Sequence, residues 1–164
     1  MPVTIVPTTL EHAESFHRSL DGVARERKYL VFLEAPPLET TREWIAACLE
    51  AGNPQFVAVD GDTVVGWCDV TRRPREAMRH SGSLGMGLSP AYRHQGLGRR
   101  LMAAALEAAK RAGLERVDLT VYTTNLNAIR LYESMGFERE GLARRFTKID
   151  GAWMDAIEMA WFPN

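Results

Sequence analysis

Gly87-Leu-Ser-Pro-Ala-Tyr-Arg93-His-Gln-Gly96-Leu-Gly98-Arg99-Arg100-Leu101-Met102 is the stretch on which the fold turns. An apolar, glycine-bearing run, Ser81–Leu88, ends inside it; Pro90 breaks the run, and two glycines follow two residues apart. A strong helix-forming sequence then takes over. Glycines at such a junction remove Cβ atoms and let an anion come close to the main chain. The first turn of the new helix offers unsatisfied N–H groups and the positive end of the macrodipole. Helix starts ordinarily favour Asp or Glu there. Here residues 93–100 hold Arg93, Arg99 and Arg100 and no acid, a local +3 on a chain of net charge -1. That inversion is expected where a ligand brings the negative charge. The stretch has no Gly-Lys-Ser/Thr of a Walker A loop and only two of the three spaced glycines of the dinucleotide-binding fingerprint. It reads as a diphosphate cradle. The alternative is a plain loop-to-helix junction, its glycines there for packing and its arginines in solvent.

Outward from the cradle, Gly96–Ala112 is predicted to be a long helix stopped by Gly113, and Arg116–Tyr122 a strand. Asn125 is a fitting N-cap for a helix over 125–135, stopped by Gly136-Phe137. Positions 125, 128, 132 and 135 share one face of it, so Tyr132 projects beside the small Ala128. An amphipathic helix whose tyrosine merely packs would look the same. Upstream, Val3–Val6 is a short strand. Thr8 or Thr9 caps a helix carrying Leu10, Ala13, Phe16, His17 and Leu20, and Thr40-Thr41-Arg42-Glu43 has the spacing of a capping box opening a second helix. Gln55–Val59 and Thr63–Val70 form a hairpin about Asp60-Gly61-Asp62, and two last strands flank Asp150-Gly151. The order β-α-α-β-β-β-α-β-α-β-β describes a mixed sheet with helices packed on it.

The chain has 164 residues, 46% hydrophobic and 25% charged, which suits one globular domain, residues 1–164, and excludes a disordered tail or a disulfide-dense miniprotein. With 20 Lys+Arg against 21 Asp+Glu, no global positive field argues for nucleic acid. No run approaches a membrane span, and no basic, apolar leader opens the chain. Cys48 and Cys68 lack C-x-x-C spacing and read as free buried thiols, hence a cytoplasmic protein. The four histidines, His12, His17, His80 and His94, lack metal-ligand spacing, so no metal is expected. Arg72, Arg73, Arg75 and Arg79 form a basic loop, either solvated or facing a coenzyme phosphate or acidic substrate. The apolar run Ala152–Trp161 is expected to suit the edge of a homodimer.

Arg93-His-Gln-Gly96-Leu-Gly98 resembles the R/Q-x-x-G-x-G/A signature of the GNAT superfamily of acyl-CoA N-acyltransferases, and Asn125-x-x-Ala128-x-x-Leu131-Tyr132-x-x-x-Gly136-Phe137 is similar to its second motif. The likeness is specific over residues 80–137, with a fainter similarity to bacterial ribosomal-protein and amino-acid N-acetyltransferases. It implies an α+β fold with a mixed, mostly antiparallel sheet of six to seven strands, about four helices and two splayed central strands. It also implies acetyl-CoA as co-substrate and a primary amine as acceptor, on a small molecule or a peptide N-terminus. Main-chain N–H groups of His94, Gln95, Gly96, Leu97, Gly98 and Arg99 would then hold the pyrophosphate beside Arg93. The strand ending at Met86, Gly87 and Leu88 would splay from Val117–Tyr122, and its glycines would make that gap cheap to open. Asn125 and Asn127 would contact the pantetheine arm, and Tyr132 would protonate the leaving thiolate. Transfer would be direct, through a tetrahedral intermediate and without an acyl-enzyme.

Many members of the superfamily carry a glutamate base on one of the splayed strands. Ser81–Leu88 has no carboxylate and Val117–Tyr122 has only Asp118. Glu34, Asp69 or water remain as bases. A lysine-like amine is neutral in only about one molecule in 2,500 at pH 7, an α-amine in roughly one in seven. The missing base therefore tilts the acceptor toward α-amines. A coenzyme-binding module without turnover, or a phosphate-binding domain of unrelated fold, are the rival readings.

Overall fold

The computed structural model describes residues 2–164; Met1, the first residue of the expected domain, lies outside them. The elements are β1 (Thr4–Pro7), α1 (Ala13–Arg25), α2 (Leu38–Ala51), β2 (Gln55–Asp60), β3 (Thr63–Arg72), β4 (Ser81–Leu88), α3 (Leu97–Arg111), β5 (Arg116–Tyr122), α4 (Leu126–Ser134), β6 (Glu138–Ile149) and β7 (Ala152–Trp161). The seven strands form one sheet in the order β1-β2-β3-β4-β5-β7-β6. Every neighbouring pair is antiparallel except β4 and β5. That parallel pair is short: Ser81, Gly82 and Ser83 face Arg116, Val117 and Asp118, and pairing then stops while both strands run on. The sheet therefore opens into a V at its centre, the splay that the resemblance implied.

One face of the sheet is covered by α3 and α4. Leu101, Met102, Ala105 and Ala109 of α3 and Ile129 and Tyr132 of α4 pack with Cys68, Val70, Leu84, Val117 and Leu119. On the other face α1 and α2 set Phe16 and Ile45 against Val57 and Trp67. Strand alternation decides the sides: Cys68 points to α3, and its neighbour Trp67 points to α1.

Four local expectations need correction. Leu10 is not on a buried stripe; it is 47% exposed in a 3-10 turn, Leu10–His12, capped by Thr9 ahead of α1. α2 opens at Leu38, straight after Pro37, so Thr41 lies inside the helix with its side chain buried rather than at a capping box. Two of the three β4 glycines, Gly82 and Gly87, are required by packing from β3. A Cβ on Gly82 would stand 2.7 Å from a Val70 methyl, and one on Gly87 2.4 Å from the Trp67 ring. Last, β7 lies between β5 and β6, so the sheet's edges are β1 and β6 and not the Ala152–Trp161 strand.

Candidate active site

The cradle is built as a run of bare amides. His94 and Gly96 both have positive φ, +62° and +82°, so the chain turns tightly before α3 begins. Such alternation aims successive N–H groups into one concavity. The helical ladder starts with the Arg100 N–H donating to the Gly96 carbonyl at 3.2 Å. The N–H groups of Leu97, Gly98 and Arg99 are therefore left over at the positive end of α3. Open space lies over Gly96, whereas a Cβ on Gly98 would stand 3.0 Å from Leu131 of α4 and 3.5 Å from Met86. The first glycine serves the turn and the approach; the second lets α3 and α4 close together.

A cavity of about 320 Å³ lies against these amides and the unpaired end of β4. Its walls include Met86, Gly87 and Leu88 of β4, then Arg93, His94, Gly96, Gly98 and Arg99, and Asn125, Asn127, Ala128, Leu131 and Tyr132 around α4. That is the low end of ligand-pocket volumes, sized for a slender arm rather than a whole nucleotide. Of the residues the sequence singled out for binding or catalysis, the candidate bases Glu34 and Asp69 fall outside the lining, and so do Gln95 and Leu97. Gln95 is exposed and its side-chain amide donates to the Ala91 carbonyl at 3.0 Å, and Leu97 is buried. Both can offer only main chain. Asn125 accepts the Ala128 N–H at 3.3 Å through its Oδ1, so part of its side chain is used in starting α4.

Two wall residues had no signal in the sequence, Val23 of α1 and Tyr29 beyond it. Tyr29 is held there by Arg93, whose guanidinium lies 4.8 Å from its ring centre. The same guanidinium donates to both carboxylate oxygens of Glu26, at 2.9 and 2.6 Å, and to the Leu88 carbonyl at 3.0 Å. Arg93 is thus neutralised by Glu26, and the expected free +3 of the cradle is reduced. Arg100 donates to the Val3 carbonyl at 3.2 Å, while Arg99 reaches across to Ser134 of α4 at 2.6 Å and keeps an uncompensated charge beside the cavity.

Tyr132, which also lines the cavity, is buried, its ring tilted on Phe137 with centres 5.9 Å apart. Burial pushes its phenol well above the ordinary tyrosine range. It therefore holds its proton across the physiological pH range. The carboxylates divide sharply. Asp118 is bound by Arg73 at 2.7 Å and Arg116 at 3.1 Å, so it is a structural anion and not a base. Arg73 leaves the basic loop for that purpose, and Arg72 donates to the carbonyls of Arg79 and Ala112, so these two arginines tie elements together. Glu34 is 72% exposed beside Arg25. Asp69, only 8% exposed, is pushed up to about 7 by burial alone. Among the described residues no cluster of His, Cys, Asp and Glu could hold a metal ion, and no helix is long and apolar enough to cross a membrane.

Comparison with known proteins bears on this geometry. The acetyltransferase (GNAT) family profile matches residues 18–137. The N-alpha-acetyltransferase RimI of Mycobacterium tuberculosis is 40% identical over 125 residues, covering 76% of this chain and 73% of that protein. The L-amino acid N-acetyltransferase AaaT of Escherichia coli is 34% identical over 113 residues, covering 66% and 68%. A GNAT-family acetyltransferase from Streptococcus pneumoniae shares the fold at a TM-score of 0.92 and 24% identity, over 99% of this chain and 100% of that one. On the family match and these relatives, the chain belongs to the GNAT family and is an acetyl-CoA-dependent N-acetyltransferase, an enzyme that moves an acetyl group onto an amine.

Proposed function

We propose that the acceptor is an α-amine, on a free amino acid or at a peptide N-terminus, and that the whole chain acts as one cytoplasmic catalytic domain. The observation that carries the site assignment is the set of leftover amides at the start of α3, beside a cavity that Tyr132 also lines. His94, Gly96, Leu97, Gly98 and Arg99 hold the coenzyme diphosphate through main-chain N–H groups, with the Arg99 side chain beside them. Asn125, Asn127 and the unpaired edge of β4 at Met86–Leu88 receive the pantetheine amides. A β4 N–H at that edge stabilises the oxyanion as the amine attacks the thioester carbonyl. Tyr132 gives its proton to the thiolate as the carbon–sulfur bond breaks. Arg93 positions the cradle loop and Tyr29 through Glu26.

The α-amine class is supported by the names of the two relatives, one an N-alpha-acetyltransferase and the other an L-amino acid N-acetyltransferase. The lack of a free carboxylate on the splayed strands, Asp118 being held by Arg73 and Arg116, agrees with it, since an α-amine needs least help to lose its proton. The buried free thiols Cys48 and Cys68 suit a reducing cytoplasm. A homodimer would close on the edge strand β6, where Leu142 and Phe146 are exposed. Release of coenzyme thiol, followed with amino acids, N-terminal peptides, polyamines and aminoglycosides as acceptors, tests the assignment. Turnover is expected with the first two groups; turnover confined to the polyamines or aminoglycosides would overturn it.

A further inference from the structure

Asp69 is a buried carboxyl for which no part of the reaction described so far has a use. It stands in one row across three strands, opposite Gln55 of β2 on one side and Gly85 of β4 on the other. Cross-strand partners share a face, and Gly85 has no side chain to fill its place. The Asp69 oxygens fill it instead: they lie 3.5 and 3.8 Å from the point where a Cβ on Gly85 would stand. The carboxyl thus lies over β4, two residues before the cavity wall at Gly87 and just past Ser83, where pairing with β5 ends. It lies beside β4 on the face of the sheet that Trp67 turns to α1, although it is rooted on β3.

Its surroundings do not hold it as a structural anion. The groups facing it are the Gln55 amide of β2, the Cys48 thiol of α2 and the bare backbone of Gly85, while the Cys68 thiol next to it on β3 points to the other face of the sheet. No cation or hydrogen bond lowers its pKa. Both side-chain polar atoms of Gln55 are likewise buried without a protein partner. Polar groups in that condition are ordinarily joined by ordered water. A carboxyl kept there lowers the stability of the native fold at neutral pH, which is a reason to look for its use in the chemistry.

We propose that Asp69, acting through intervening water, accepts the proton that the amine must lose before it attacks, in place of a carboxylate on β4. The inference rests on the acetyl-transfer reading of this site. The ammonium N–H gives its proton through the water to the Asp69 carboxylate, and the freed nitrogen lone pair forms the bond to the acetyl carbon. On collapse the C–S bond breaks, the second amine proton reaches the thiolate by way of Tyr132, and Asp69 returns its proton to solvent. A base that titrates near 7 is matched to an α-amine at physiological pH.

The experiment is the pH profile of kcat from pH 5.5 to 9 for wild type, Asp69→Asn and Glu158→Gln, with coenzyme binding followed in each. Glu158 is the exposed carboxylate opposite Thr120, the rival group on the open face of the sheet. Wild type should lose rate below an apparent pKa near 7. Asp69→Asn should bind coenzyme normally, lose that acidic limb, and turn over at least tenfold slower at pH 7, with a larger loss for a lysine-like amine than for an α-amine. Glu158→Gln should retain the limb. A flat wild-type profile across pH 6–8, measured without any variant, would overturn the proposal. So would an Asp69→Asn enzyme with the wild-type limb, or loss of the limb in Glu158→Gln alone. In each of these cases acetyl transfer by wild type would still stand.

Discussion

A phenol and a carboxyl respond to burial in the same direction, yet with different consequences at neutral pH. For Tyr132 the upward shift keeps a proton in place over the whole physiological range, as an acid for a thiolate requires. Tyr132→Phe should therefore lower kcat by about 10²–10⁴ while leaving coenzyme affinity unchanged; a rate within threefold of wild type would give the proton transfer to water. For Asp69 the shift to about 7 also has a thermodynamic signature. Its native pKa lies above its unfolded value of about 3.9, so the native state holds a proton that the unfolded chain has released. Stability from this group is complete below about pH 4 and is lost as pH rises through 7. Asp69→Asn removes that loss, so thermal melting should show it stabilised at pH 8, by on the order of 4 kcal/mol, and near wild type at pH 4.5. A destabilised variant at pH 8 would show the carboxylate to be a needed structural anion. At this scale the sequence is least explicit. The Arg93–Glu26 pair joins residues 67 apart, and the run Trp67-Cys-Asp-Val70 does not say that its acid is buried beneath a helix.

Elements were more legible, because their signals are local. β4 and β5 fall where apolar runs bounded by breakers put them, and Asn125 caps α4 as its type and place suggested. α2 was misplaced because Pro37 can itself precede a first turn, which overrides the threonines behind it. Glycines in β4 suggest a loosened strand, whereas Gly82 and Gly87 answer the bulk of Val70 and Trp67 on the strand beside them. The cradle is likewise a property of an element start rather than of its side chains. Gly96→Val forces a β-branched residue to φ +82° and fills the open approach. Isothermal titration should register loss of coenzyme binding, while the melting temperature falls by the equivalent of about 1–2 kcal/mol. Unchanged affinity would mean that the amides are not used. Glu26→Gln should weaken the hold on Arg93 and Tyr29 and raise KM for acetyl-CoA severalfold with little change in kcat, a split that steady-state kinetics would resolve.

At the scale of the molecule, the short β4–β5 pairing makes the site possible: three paired residues keep the sheet continuous and the rest of each strand stands apart. The strand order across that gap, and the place of β6 at one edge of the sheet, depend on long-range pairing that no window of the sequence displays. The exposed β6 residues Leu142 and Phe146 are where sedimentation of a charge-substituted variant would reveal a dimer contact, if wild type sediments as one. Strand β4 and residues of both helical layers, Val23 of α1 and Gly98 and Tyr132 of α3 and α4, meet at the cavity, so a ligand there should steady the whole fold. Coenzyme A at a hundred times its dissociation constant should add about 2.7 kcal/mol to stability, read as a concentration-dependent melting temperature. The amides themselves are observed most directly by titrating isotope-labelled protein with coenzyme A and following each backbone N–H by nuclear magnetic resonance. The N–H signals of Gly96, Leu97, Gly98 and Arg99 should move together, saturate with the coenzyme, and stay still when pantetheine without its phosphates is added. Saturable coenzyme binding that leaves those four signals in place would contradict the account.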